Sequence, residues 1–253
     1  VIGVFRKTGR LFHPGSKRTV IVPLDHGMSE GMLPGLDDVG SLVEGLAQTP
    51  VQGIVLHKGM AMSHLSAIGL SQNLIVHLSA GTRHGIPPYA RTIVGSVAEA
   101  LRLGADMVSV QAHIGNDMEE RMLADLGAVI DEAHSLGVPV LAMIYARGGQ
   151  IVNETDPSLV AHCIRLGAEM GADIIKVAYS GHHPSFRRAV AACPVPVVIS
   201  GGPKNSDARG FLRTLEEALD TGIAGVCVGR NVFQSEDPFK MLHEICRLVH
   251  HEE

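Results

Sequence analysis

Eight short apolar runs recur along the chain: Thr19–Leu24, Gly53–His57, Asn73–Leu78, Asp106–Ala112, Val140–Tyr145, Asp173–Ala178, Val195–Ser200 and Ala224–Gly229. Each is a nearly continuous stretch of Val, Ile, Leu and Ala rather than an alternation, which is the pattern of strands covered on both faces of a parallel sheet. Helical spacing fills the intervals. Val39, Leu42, Val43, Leu46 and Ala47 keep to one apolar face, and Asp156 followed by Pro157 predicts a capped helix that Gly171 closes. Ser96 and Glu99 have capping-box spacing ahead of a short helix ending at Gly104. Between the third and fourth runs no full helix is legible, so that unit is expected to be irregular. Leu103–Val110, Met170–Val177 and Thr221–Val228 echo one another, each passing from a helix end through Gly into a strand.

This alternation, with no linker-like break, predicts one domain over residues 1–253, of the α/β class and built as a (β/α)8 TIM barrel. An open doubly wound sheet uses the same units and is the rival. Trp is absent and aromatics make up 4% of the residues, so aliphatic side chains must fill the core. A net charge of −5 with no basic run argues against nucleic acid or an anionic membrane as partner. It leaves room for a basic pocket that takes a small anion. Cys163, Cys193, Cys227 and Cys246 show no metal-ribbon or CxxC spacing and read as reduced, buried thiols. No apolar stretch is long enough to span a membrane, and the first residues lack an apolar leader core, so the chain reads as cytoplasmic.

Barrel chemistry gathers at the C-terminal ends of the strands. Asp25 and His26 follow the first run, His57 and Lys58 end the second, and His77 ends the third. His113 follows the fourth, Tyr145 and Arg147 end the fifth, and Lys176 sits near the end of the sixth. Ile174, Lys176 and Ala178 share one strand face. Burial there would lower the ammonium pKa and leave an amine able to attack a carbonyl; a lysine paired with a core carboxylate, or snorkelling to the mouth, is the plainer alternative. Tyr145 on the neighbouring strand is a candidate proton carrier, and Arg147 a candidate anion contact or a surface ion pair. Ser200-Gly201-Gly202 and Gly229-Arg230 place glycine turns after the seventh and eighth strands, where barrels bind phosphate. The strand-end histidines His26, His57, His77 and His113 could instead ligate zinc, although no HxH or HxxxH pair occurs among them.

The motifs VPLDHG, GIVLHKG, LIVHLSAGT, LGADMVSVQAHIG, MIYARG, GADIIKVAYSG, PVPVVISGGPK and GVCVGRNVFQ resemble class I aldolases of the archaeal type. Within that family the likeness is greatest to the 2-amino-3,7-dideoxy-D-threo-hept-6-ulosonate synthase branch, and it runs from about Thr19 to Val249. The resemblance implies Lys176 as the Schiff-base lysine, Tyr145 as proton donor and Asp25 as acid/base. It implies substrate contacts over Asp25, His26, Gly27, Met28 and Ser29, over Tyr145 to Arg147 and at Ser200, with phosphate on Gly201, Gly202, Gly229 and Arg230. It implies no cofactor or metal, a phosphorylated ketose donor with L-aspartate semialdehyde as acceptor, a place in aromatic amino acid biosynthesis, and a homo-oligomer such as a decameric ring. Three positions depart from the family pattern: Ala146 stands for a usual Pro, Ser200 for a frequent Ala, and Met143 for the Trp of fructose-bisphosphate aldolases in this group. A fructose-bisphosphate or dihydroxyacetone-phosphate aldolase, a zinc-dependent lyase and a non-catalytic phosphometabolite-binding barrel are the alternatives.

Overall fold

The computed structural model describes residues 1–251. Eight parallel strands close into a barrel: β1 Thr19–Pro23, β2 Gly53–His57, β3 Asn73–His77, β4 Met107–Ile114, β5 Val140–Ala146, β6 Ile174–Ala178, β7 Val197–Ser200 and β8 Gly225–Cys227. Each strand pairs with its sequence neighbours, and β1 pairs with both β2 and β8, so no edge is left and the open-sheet rival is excluded.

The period of two along each strand sorts the side chains. Val20, Val22, Ile54, Val76, Val108, Ile144, Ile175 and Val177 point outward into the layer shared with the helices. Ile21, Val55, Ile75, Met107, Leu141, Met143, Ile174, Val198 and Cys227 point inward and fill the barrel. Leu11, fully buried after the N-terminal helix Ile2–Arg10, joins this inner cluster. The interior is thus a packed core with its polar positions above the apolar layers.

The unit between β3 and β4 is irregular, as its pattern predicted. Ser79–Ala80 and Thr92–Ile93 form a small antiparallel hairpin before the short helix Val97–Arg102. Ser96 caps that helix by accepting from the Glu99 N–H at 3.1 Å, but the reciprocal half of the capping box is missing. Glu99 gives its carboxylate to Lys58 Nζ at 3.0 Å, because an ammonium is a stronger partner than a backbone N–H. Helix Pro157–Glu169 starts on the Asp156 cap as expected. None of the four cysteines is in a disulfide, and Cys193 is half-buried rather than buried. No described helix is long and apolar enough to cross a membrane.

Closure depends on Gly225. Its φ is +145°, and a Cβ there would lie only 2.0 Å from the Thr19 carbonyl oxygen, so no side chain fits where β8 meets β1. Gly225→Ala is expected to destabilise the barrel by about 2–4 kcal/mol, through strain and the displaced strand pairing. Denaturant unfolding followed by circular dichroism measures it.

Candidate active site

The inward parity continues past the apolar layers and selects what faces the mouth. Tyr145 follows Met143 by two residues on β5, Lys176 follows Ile174 on β6, and His57 follows Val55 on β2. The ends of β5 and β6, the loops after β7 and β8 and helix His26–Glu30 surround a cavity of about 340 Å³, which His57 does not line. Asp25, His26, Ser29, Tyr145, Arg147, Lys176, Ser200, Gly201, Gly202, Gly229 and Arg230 all line it. Gly27 and Met28 do not, and Met28 turns outward.

Lys176 is 6% exposed at the floor of this cavity. Its ammonium lies 3.8 Å from Met143 Sδ, in register across β5–β6, and also bonds the Cys227 thiol. Strand position alone led to the expectation that burial lowers its pKa. Burial does push it down, but Cys227, Tyr145 and Asp25 together outweigh that and the net direction is up. Burial likewise pushes the Cys227 thiol up, while Lys176 pulls it down. At rest Lys176 is therefore an ammonium.

Asp25 shows the same coupling from the other side. Burial alone would raise its pKa, yet the positive potential of His77, His26, Lys176 and His57 holds it at about 2. His26, His57 and His77 are all pushed down by burial, His77 to about 3, and are neutral at pH 7. Lys176 adds its own positive potential to that of the histidines around Asp25. His77 Nε2 stands 3.9 Å from Asp25 Oδ2, while its Nδ1 meets Ser109 Oγ at 2.8 Å.

Of the four histidines considered for zinc, the fold gathers two. His57, His77 and Asp25 each offer a ligand atom within 4.8 Å of the others, the group among the described residues able to hold a metal ion. His113 is spent elsewhere: Nδ1–H donates to the Tyr89 carbonyl at 2.6 Å and Nε2 accepts from the Gln111 amide at 2.6 Å. His26 packs edge-on against Phe233.

The glycine turns after β7 and β8 meet at the opposite side of the mouth from the hairpin. Gly202 takes φ +68°, and a Cβ on Gly229 would fall 2.6 Å from the His26 ring, so both turns need glycine. Asn231, which lies in the GVCVGRNVFQ motif without a role assigned to it there, staples them: its amide donates to the carbonyls of Gly201 and Pro203 at 2.9 Å each. Arg230 contributes a guanidinium whose Nε is buried without a partner. Backbone N–H groups and this cation make an anion cradle. Also missed were Arg91, Glu30 and Glu154, which line the other rim, and the buried Cys227 beside Lys176. Parity in β8 pointed to Cys227; nothing in the irregular unit pointed to Arg91.

A profile of the "DeoC/LacD family aldolase" matches residues 19–235. The 2-amino-4,5-dihydroxy-6-oxo-7-(phosphonooxy)heptanoate synthase of Streptomyces griseus is 43% identical over 242 residues, covering 95% of this chain and 88% of that protein. The 2-amino-3,7-dideoxy-D-threo-hept-6-ulosonate synthase 1 of Archaeoglobus fulgidus is 38% identical over 251 residues, 99% of this chain and 92% of that one. An archaeal fructose-1,6-bisphosphate aldolase, solved with its catalytic lysine bound to the carbinolamine intermediate, superposes with a TM-score of 0.89 at 31% identity, covering 98% of this chain and 99% of that one.

The charge state of Lys176 has a measurable consequence. Because its pKa is raised, the free amine is a small fraction at neutral pH and grows about tenfold for each pH unit. Reductive alkylation of Lys176 by a small aldehyde and cyanoborohydride, read by peptide mass spectrometry, should quicken about tenfold from pH 7 to pH 8. A rate flat over that interval would mean that burial wins and the amine is neutral at rest.

Proposed function

The chain belongs to the DeoC/LacD aldolase family and is a class I, Schiff-base aldolase, and we propose that Lys176 forms the imine, with a phosphorylated ketose as donor and L-aspartate semialdehyde as acceptor. The observation that carries this reading is a buried lysine in a cavity that Tyr145 and the ionised Asp25 also line, with a glycine-rich anion cradle on the next two strands. The relatives' names describe seven-carbon 2-amino acids, and that of the Streptomyces griseus synthase adds a 6-oxo group and a 7-phosphonooxy group. A molecule with an amino-acid end and a phosphate end suits a cavity that carries charge at both rims.

Lys176 attacks the donor's ketone carbon as its surplus proton passes through solvent to the ketone oxygen, and loss of that oxygen as water leaves an iminium. That cation replaces the ammonium opposite Asp25, whose carboxylate stabilises both. The bond between the carbons α and β to the iminium breaks, its electron pair moves into the iminium, and the β-hydroxyl gives its proton to Tyr145 as the phenolic proton passes to solvent. The resulting enamine attacks the acceptor aldehyde, the new alkoxide recovers the proton, and water releases Lys176. His26, Ser29, Arg147 and Ser200 border the reacting chain, while Gly201, Gly202, Gly229 and Arg230 hold its phosphate. We also place the chain in amino-acid biosynthesis, in the cytoplasm and in a homo-oligomer; Ile2 and Phe5 leave an apolar face of the N-terminal helix 78–79% exposed.

Borohydride reduction with the donor present should add the donor's mass to the Lys176 peptide, and activity should survive a chelator; an unmodified peptide and chelator-sensitive turnover would favour the Asp25–His57–His77 metal group instead. Tyr145→Phe removes the hydroxyl and keeps the ring beneath Arg147, so kcat should fall about 10²–10⁴-fold while trapping continues. Turnover within a few-fold of the parent would take the proton role from Tyr145. Arg230→Ala should weaken donor binding by about 1.5–3 kcal/mol, with no loss for a dephosphorylated donor, as calorimetry would show.

A further inference from the structure

Apart from the anion cradle the cavity lining carries both signs of charge, from Arg91, Arg147, Glu30 and Glu154. Two of these four satisfy each other. Arg147 Nε donates to Glu154 Oε2 at 3.0 Å, and its guanidinium rests 5.0 Å from the centre of the Tyr145 ring. Arg91 and Glu30 have no such partner. Neither makes an ion pair within 4.0 Å among the described residues, although Arg91 feels Glu30 through space.

Arg91 is nonetheless held in place. Its Nη1 donates to the carbonyls of Pro88 at 3.1 Å and Ala90 at 2.8 Å, which fixes the fork and leaves the remaining N–H groups for a ligand. Gly81 makes this fit possible, since a Cβ there would lie 2.2 Å from the Ala90 oxygen and 2.8 Å from Arg91 Nη1. The Arg83 N–H donates to the Ser29 carbonyl at 3.0 Å, tying the hairpin segment to the helix that ends at Glu30. A cation and an anion therefore face one cavity on two linked segments, with a gap between them. Burial and the neighbouring Arg147 both act against the Arg91 charge, so an anion placed there would relieve it.

We propose that Arg91 and Glu30 form the acceptor subsite, Arg91 taking the carboxylate and Glu30 the ammonium of an α-amino-acid aldehyde. This rests on the aldolase reading for its chemistry, in that the aldehyde carbon of a molecule so held would point toward the enamine on Lys176. Strand order supports the placement: phosphate sits after β7 and β8, Lys176 lies on β6, and the hairpin bearing Arg91 follows β3 across the barrel. Glu30 also gives selectivity. It attracts an ammonium and repels the phosphate of a sugar-phosphate aldehyde, so an anionic acceptor without an amine gains at one end and loses at the other.

The test separates this subsite from the catalytic reading. L-Homoserine is the unreactive alcohol of L-aspartate semialdehyde; 4-hydroxybutyrate lacks its amine and 3-amino-1-propanol lacks its carboxylate. Saturation-transfer NMR titrations should show homoserine binding best, and Arg91→Met and Glu30→Gln should each weaken it about 10- to 100-fold. Arg91→Met should leave 3-amino-1-propanol unaffected, and Glu30→Gln should leave 4-hydroxybutyrate unaffected or bind it better. Unchanged homoserine binding in folded Arg91→Met, checked by its melting temperature, overturns the proposal. So does an equal loss of borohydride-trapped donor in that variant, which would assign Arg91 to the donor. If the parent protein traps no donor yet binds homoserine through Arg91 and Glu30, the catalytic reading fails and the subsite stands.

Discussion

A lysine ammonium sealed inside a barrel must be compensated, and the upper half of this structure is arranged around that requirement. Lys176 is 6% exposed and its direct partners are two sulfur atoms, which are weak acceptors. Water is a far better host for a charge than such a site, so Asp25 supplies the missing potential from across the barrel. Burial pushes the pKa values of His26, His57 and His77 down, so at neutral pH they add no cation that would compete with Lys176 for Asp25. An iminium on Lys176 would carry the same charge in the same place. A site that stabilises the resting ammonium is thereby already organised for the cationic intermediate.

The fold makes the arrangement possible by stacking layers. Below Lys176 the inward positions are Ile, Val, Leu and Met, with Leu11 entering from the N-terminal side, so water cannot reach the ammonium from beneath. Above it the inward parity turns polar within one or two residues of every strand end. Glycines at the β7 and β8 ends then bring backbone close to the cavity, and Asn231 binds the two turns into one cradle. Packing and chemistry are thus set by the same alternation: a one-residue slip of β6 would send Lys176 into the helix layer and Ile175 into the site.

That alternation explains what could be read from the chain alone. The strands are continuous apolar runs bounded by glycine and proline, and all eight were found because two-sided burial leaves an unmistakable pattern. Lys176, Tyr145 and Asp25 were legible as polar residues at strand ends. The charge on Lys176 was not, because its direction is set by Cys227, Tyr145 and Asp25, in units distant in sequence, and single-strand reasoning holds only the burial half of the balance. Glu99 misled for a similar reason: local spacing favoured the cap, while Lys58 from another unit offered a stronger partner. Arg91 was invisible because its position depends on a hairpin with two residues in each strand and on the room left by Gly81.

The Asp25–His57–His77 group shows why proximity of ligand atoms does not by itself decide a mechanism. Three ligand atoms within 4.8 Å satisfy the geometric need of a divalent cation, and neutral imidazoles are in the right protonation state. Yet Asp25 is the counter-charge of Lys176. A dication taking that carboxylate would set two positive charges in one poorly solvated cavity, raising the cost of the ammonium and of any iminium that replaced it. Metal occupancy and a cationic lysine are therefore opposed through the residue they share. His77 is held by Ser109 with its other nitrogen toward Asp25, an orientation that serves either state. The electrostatic balance favours the lysine, since Lys176 is among the groups that lower the Asp25 pKa and Asp25 among those that raise that of Lys176.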